Sequence, residues 1–303
     1  MGLQRLAFTK LKTMKVLIGI PHIFSPKKDS VYSSESESKR KLKTNALALA
    51  TEGNRIRHQR EHWIHASLGF RKQITTRALT SPMGVDLTFQ VYTDLRKSLA
   101  VNLIENKAIN IVNIELEDAK QMPMVASRSI IEQAHEYDMI CYMEDDLVIE
   151  DTEFFQKIHY LINGSGGSLS FLPHRCETIP GRGDVILSGD PDGGRPDLFW
   201  DTGEKITIPW PLGDKQFYRA TNPHSGCYFL TQHQALKLRD YWTEKNWVSD
   251  FTLSGPLEQA ASGLLLPVFK IMKPVPEHYR FLMVRHQDNL WQRHSFETTT
   301  LGK

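Results

Sequence analysis

The chain has 303 residues, 40% of them hydrophobic and 24% charged, with 37 Lys and Arg against 35 Asp and Glu for a net charge of +2. Such a length can bury a full core, the composition excludes a wholly disordered or fibrous chain, and the near-neutral balance argues against a dedicated nucleic-acid binder. Three widely separated cysteines, Cys141, Cys176 and Cys227, suggest neither a disulfide framework nor a Cys-x-x-Cys metal site, so a reducing, cytoplasmic setting is expected.

No run reaches the roughly 18 apolar residues of a membrane span, and the first thirteen residues lack the apolar core of a signal peptide. Residues 1–13 read as a flexible basic tail, with a peripheral contact to anionic lipid as the alternative. Lys15 to Ile20 (KVLIGI) is an apolar, β-branched run ended by Pro21, and it predicts a first buried strand with Pro21 to Phe24 at a sheet edge. Ser25 to Lys43 is dense in Ser, Glu and Lys and predicts a mobile loop. From Leu42 to Leu68 the apolar spacing is helical, closed by Gly69.

Asp86 to Tyr92 and Ile109 to Ile114 are further strand candidates. Pro123 to Tyr137 reads as a helix with Pro123 at its start and Val125, Ile130, Ile131 and Ala134 on one face. It leads into Met139 to Met143 (MICYM), a buried strand. Strand, helix and strand at this spacing predict a parallel sheet. Beyond it the chain is turn-rich, with short strands at Ser168 to Leu172, Val185 to Leu187 and Lys205 to Ile208 and helices at Gln232 to Trp242 and Gly255 to Gly263. One domain over 14–303 is expected, with a nucleotide-binding half (about 14–151) and an acceptor half (152–295).

The segment Met143-Glu144-Asp145-Asp146-Leu147 carries the strongest chemical signal. Three carboxylates directly after a buried strand are either a solvated turn or a site, and in open α/β sheets ligands bind beyond the carboxyl ends of strands. Hard oxygen donors of this kind suit Mg²⁺ or Mn²⁺, which takes one or two carboxylates plus substrate phosphates.

This segment resembles the Asp-x-Asp motif of GT-A glycosyltransferases, and the order of elements from Lys15 to Asp151 is similar to their nucleotide-binding half. The resemblance implies an α/β fold of GT-A type, with a Rossmann-like, mostly parallel sheet, helices on both faces and a mixed acceptor half. It implies Mn²⁺ or Mg²⁺ on Asp146, with Glu144 toward the ribose or the metal and Asp145 beside the nucleotide. Having Glu first departs from the strict motif and leaves the division of roles open. A C-terminal histidine often completes such a site. His286 is favoured over His278 because it follows the apolar Phe281 to Val284, and Arg285 is then a candidate for the diphosphate.

Pro21 and His22 are expected near the base of a nucleotide diphosphate sugar, with a UDP-sugar the expected donor. Asn222, His224, Ser225 and Gly226 resemble a loop meeting donor sugar and acceptor, with Gly226 allowing close approach of a ligand, and Arg175 begins the acceptor region. An inverting transferase needs a carboxylate to take the acceptor's proton. Glu258 is the candidate, with Asp250 in reserve, and a helix-start carboxylate is the plainer alternative for Glu258. His58, His62 and His65 lack a partnering Glu and read as a solvated helical face. The acceptor is expected to be a glycan or lipid-linked hydroxyl. The rivals are a sugar nucleotidyltransferase, although Ile20 to Pro26 lacks that class's Gly-rich basic loop, and a non-catalytic binding protein of the same fold.

Overall fold

The computed structural model describes residues 13–24, 36–59, 61–65, 75–79, 84–103, 105–179, 183–187, 203–220, 224–247 and 255–287. The expectations for residues 1–12, 25–35, Gly69 and the turn-rich Ser188 to Pro196 lie outside them. In chain order the strands are β1 (Met14–Pro21), β2 (Glu61–His65), β3 (Thr75–Leu79), β4 (Val85–Thr93), β5 (Ile109–Asn113), β6 (Met139–Met143), β7 (Leu147–Val148) and β8 (Leu169–Phe171). There follow β9 (His174–Ile179), β10 (Gly183–Leu187), β11 (Lys205–Ile208), β12 (Lys215–Arg219), β13 (Cys227–Thr231), β14 (Lys270–Pro274) and β15 (Met283–His286). The helices are α1 (Glu37–Ala48), α2 (Asn54–Gln59), α3 (Met122–Glu132), α4 (Phe154–Gly164), α5 (Gln232–Glu244) and the single turn α6 (Pro256–Glu258).

The fold is α/β with mixed sheets. Its main sheet runs β13-β6-β1-β4-β5, all parallel except β13, which pairs antiparallel with β6. The strand-helix-strand spacing before Met139 therefore does yield parallel strands, and β1 lies at the centre of the sheet rather than beside an edge strand. Alternation along β1 explains its burial on both sides. Val16, Ile18 and Ile20 face a core with α4 and the α1 end, while Leu17 faces a second core with α3 and α5. At Gly19 the missing side chain lets α3 close in, since a Cβ there would meet Ile130 Cγ2 at 2.6 Å.

Two smaller sheets, β10-β9-β15-β7 and β11-β12-β14-β8, and the hairpin β2-β3 complete the strands described. Helix α1 begins at Glu37, inside the stretch expected to be loop. Ser36 caps it by accepting the Lys39 amide at 3.3 Å, and Lys, Arg and Leu are good helix formers once the first turn is held. The helical segment runs through a π turn at Leu49–Gly53 and ends with α2 at Gln59, so Trp63 and Ile64 lie in β2 rather than in a long helix. Aromatic and β-branched residues favour that pleated setting. Nor do His58, His62 and His65 share a helical face. His58 hydrogen-bonds the Ile149 carbonyl at 3.0 Å and meets the Phe155 ring edge-on, and the other two are on β2.

One buried relay ties three elements together. The Tyr228 hydroxyl on β13 pairs with Ser127 Oγ on α3 at 2.7 Å, and Ser127 donates to the Ala260 carbonyl just after α6 at 3.0 Å. Replacing Ser127 with Ala strands a hydroxyl and a carbonyl in the core, each worth about 1–3 kcal/mol. Ser127→Ala should therefore lower stability in urea by about 2–4 kcal/mol, and adding Tyr228→Phe should recover part of that loss. A double variant less stable than Ser127→Ala alone would refute the relay.

Candidate functional site

The acidic triplet leaves the core where β6 ends. Short β7 follows at once, and β15 pairs with it antiparallel, His286 opposite Leu147 and Arg285 opposite Val148. The ladder ends with the Gln287 amide donating to the Asp146 carbonyl at 2.9 Å. This backbone register, rather than any side-chain attraction, brings His286 to Asp146: Nε2 lies 3.2 Å from Asp146 Oδ2. The other ring nitrogen, Nδ1, lies 2.8 Å from Oε1 of the fully buried Glu177 on β9. Strand β9 is the parallel neighbour of β15, so the same small sheet supplies both the histidine and the carboxylate that orients it.

Burial alone would lower the His286 pKa, but Asp146 and Glu177 more than reverse this and push it up to about 11, favouring the charged ring. Burial works against the ionised Asp146 too, yet the charge and hydrogen bond of His286, helped by Arg175 and Lys43, hold its carboxyl down to about 2. Asp146 Oδ1 is buried with no hydrogen-bond partner among the described residues. Asp146 and His286 could thus hold a cation between them, a divalent ion replacing the proton on Nε2. Among the described residues no group of three or more His, Cys, Asp or Glu forms a fuller metal cage. Two protein ligands are the usual complement for Mg²⁺ when phosphates supply others.

Glu144 faces elsewhere. Its Oε2 lies 3.4 Å from Arg175 NH1 and its Oε1 3.6 Å from His224 Nε2, all three side chains being buried. Burial, opposed by Arg175 and reinforced by Asp146, pushes the Glu144 carboxyl up to about 8. The structure therefore sets Glu144 apart from the Asp146–His286 pair, as a partner of the two residues expected to meet the acceptor. Gly226 does permit a close approach, but by Glu144 rather than by a ligand. Its φ is +66°, and a Cβ there would sit 2.7 Å from Glu144 Oε2 and 3.0 Å from Leu147 Cδ1. Ser225 donates to the Pro173 carbonyl at 2.7 Å, and buried Lys273 donates to the His224 carbonyl at 2.6 Å, so this loop is fixed on both flanks.

His22, directly after Pro21 at the end of β1, is fully buried. Its Nε2 accepts the Leu99 amide at 3.1 Å, which leaves the proton on Nδ1 to be donated to Asp145 Oδ2 at 2.5 Å. It acts as a strut between the ends of β1 and β6, not as an open surface for a base. Arg285, expected at the diphosphate, is engaged elsewhere. Strand alternation turns it away from His286, and its guanidinium binds both oxygens of Glu150 at 2.8 Å and both of Asp184 at 3.0 and 3.1 Å. His278 accepts the Gln216 amide on β12 at 2.9 Å and is thereby engaged with the other small sheet.

Glu258 ends α6, half-buried, with its carboxylate folded back so that a Cβ on Gly255 would lie beside its Oε2. That is the posture of a helix-start carboxylate. Its charge nonetheless reaches Glu144 and the buried Tyr142 hydroxyl, helping to raise both. Asp250 and Asn222 lie outside the described residues.

On the outer side of the triplet, Asp145 and Asp146 line a cleft of about 310 Å³ whose opposite wall is α1, with Leu42, Lys43 and Ala46, continued by Leu49 of the π turn. Asn54 fixes that wall: its side chain accepts the Ile149 amide at 2.9 Å and reaches the Leu147 carbonyl at 3.4 Å, pinning α2 to β7. The sequence reading missed Glu177 and Lys43. Neither carries a local signal: Glu177 reaches His286 only through the β9–β15 pairing, and Lys43 reaches the cleft only once α1 is formed. No protein-family model matches the chain, and no curated protein matches it significantly.

Gly226→Ala combines a left-handed backbone with a clash against Glu144, and a loss of about 2–4 kcal/mol in urea unfolding is expected. A loss below about 0.5 kcal/mol, the ordinary range for a surface change, would contradict the packing described.

Proposed function

We propose that the chain is a metal-dependent glycosyltransferase of GT-A type, moving a sugar from a nucleotide diphosphate sugar, with a UDP-sugar as the expected donor, to a glycan or lipid-linked hydroxyl. One observation carries the reading: Asp146 and His286 stand 3.2 Å apart at the carboxyl end of a central strand, with the far side of the imidazole held by buried Glu177. An orphaned Asp146 oxygen, a mixed oxygen and nitrogen donor pair and a carboxylate behind the histidine fit Mn²⁺ or Mg²⁺. When bound, such an ion would neutralise the charge that builds on the departing diphosphate.

The chain's own groups supply the remainder. Glu177 fixes the His286 ring, and the β7–β15 ladder fixes Asp146, so the donor pair is oriented before a ligand arrives. Arg175 and His224 hold Glu144 on the inner side, leaving Asp145 and Asp146 to face the cleft. Glu258 takes the proton from the acceptor hydroxyl as that oxygen attacks, giving inversion, once its carboxylate swings off Gly255. No helix among the described residues is long and apolar enough to cross a membrane. A cytoplasmic enzyme, with a peripheral position at a membrane as the alternative, completes the proposal.

One observation favours a second reading. Lys43, from the segment after β1, stands at the cleft where a sugar nucleotidyltransferase would need a basic residue. The two differ in product, nucleoside diphosphate against pyrophosphate.

Screening nucleotide sugars by thermal shift tests the proposal. With Mn²⁺ and a ligand at about 100 times its Kd, a stabilisation of about 2.7 kcal/mol is expected. The shift should vanish with EDTA and in Asp146→Ala and His286→Ala. Glu258→Gln should keep the shift and lose about 10²- to 10⁴-fold in turnover. If no nucleotide sugar stabilises the protein in a metal-dependent way, the proposal fails.

A further inference from the structure

The wall of the cleft opposite the acidic pair has an unusual make-up. Leu42 and Ala46 on α1 and Leu49, the first residue of the π turn that continues it, follow the spacing of one helical stripe, and all three line the cleft. Leu42 is 66% exposed and Leu49 43% exposed, so two large apolar side chains stand in water directly across from Asp145 and Asp146. Between them Lys43 points its charge into the same space, where it acts on Asp146 and makes no ion pair with another described residue. Asn45 and Gln287 add amide groups that can both donate and accept. The π turn at Leu49 widens α1 here, and Asn54 holds the segment to β7, so the wall is built rather than fortuitous.

An occupant of this space must be anionic where it meets Lys43 and the cation held by Asp146, flat or apolar where it meets the leucines, and polar at its edges for the two amides. A bare phosphate leaves the leucines in water. A long isoprenoid chain exceeds a cleft of about 310 Å³ and leaves the amides unmatched. Nucleoside diphosphates satisfy all three demands, and the volume lies at the low end of small-molecule sites, roughly 300 to 1,000 Å³.

We propose that the cleft between α1 and the Asp145–Asp146 corner is the seat of a nucleoside diphosphate, with Lys43 pairing with phosphate and the Leu42–Leu49 stripe packing on the base. This rests on the glycosyltransferase reading and replaces its expected base position at Pro21 and His22, which are closed off by the strut to Asp145. The leucines become the residues that select for a nucleotide over a simple diphosphate, and Lys43 the one that holds the phosphate of either.

Calorimetric titration of the full chain in Mn²⁺ tests this, with pyrophosphate, UDP, GDP, CDP and geranyl diphosphate as probes. At least one nucleoside diphosphate should bind tenfold or more tightly than pyrophosphate, a preference in the range that one apolar contact surface gives. Leu49→Ser and, independently, the more exposed Leu42→Ser should erase that preference while leaving pyrophosphate affinity unchanged. Lys43→Gln should weaken all diphosphates together by about tenfold. Pyrophosphate binding with no nucleoside preference would overturn the seat and leave the metal–diphosphate reading standing. So would a geranyl preference without a nucleoside one, or a nucleoside preference that survives both Ser substitutions. Absence of binding by every diphosphate would overturn both.

Discussion

An imidazole buried between two carboxylates is costly to assemble, because three ionisable groups must be stripped of water together and each is stable only while the others stay in place. His286 is held in that condition by Asp146 on one side and Glu177 on the other. Nothing in the side chains alone would bring them together. The ladder between β7 and β15 and the parallel pairing of β15 with β9 do so, and both strands are short, so a slip of one residue would turn His286 outward and Arg285 inward. Arg285 makes such a slip unfavourable, since its fork already joins Glu150 and Asp184 on the opposite face. The residue first read as a diphosphate ligand thus serves better as the lock on the register of the metal candidate.

Around that point the triplet divides its work by direction. Glu144 turns inward to Arg175 and His224 over a glycine that leaves it room. Asp145 is fixed by His22 at the end of β1, and Asp146 meets His286. Three adjacent carboxylates would repel one another if they pointed alike. Separate partners for each resolve that conflict, and the divergent pKa directions of Glu144 and Asp146 are its consequence. The outcome is one cleft-facing pair and one buried acid that ties β9 and the loop before β13 to the main sheet.

Much of this was legible in the residues. The apolar run MICYM ending on acids placed the site at a strand's carboxyl end, because a buried strand has few ways to expose charge except at its terminus. His286 was legible for a related reason, as a histidine at the polar edge of an apolar strand. The start of α1 was not, since its basic, serine-flanked sequence resembles a loop until the Ser36 cap is known. With that helix went Lys43 and the whole wall of the cleft. Glu177 as the partner of His286 required the β9–β15 pairing, a long-range register that no local pattern encodes. Arg285 sits beside His286 along the chain but on the opposite face of the strand, a separation that alternation imposes and adjacency hides.

The central claim is that Asp146 and His286 form one cation site, and pulsed electron paramagnetic resonance of the Mn²⁺-loaded protein tests it most directly. The account predicts one directly coordinated imidazole nitrogen in the wild-type spectrum, absent in His286→Ala, whose Mn²⁺ affinity also falls. A Mn²⁺ spectrum without an imidazole nitrogen, or Mn²⁺ affinity unchanged by that substitution, would contradict it.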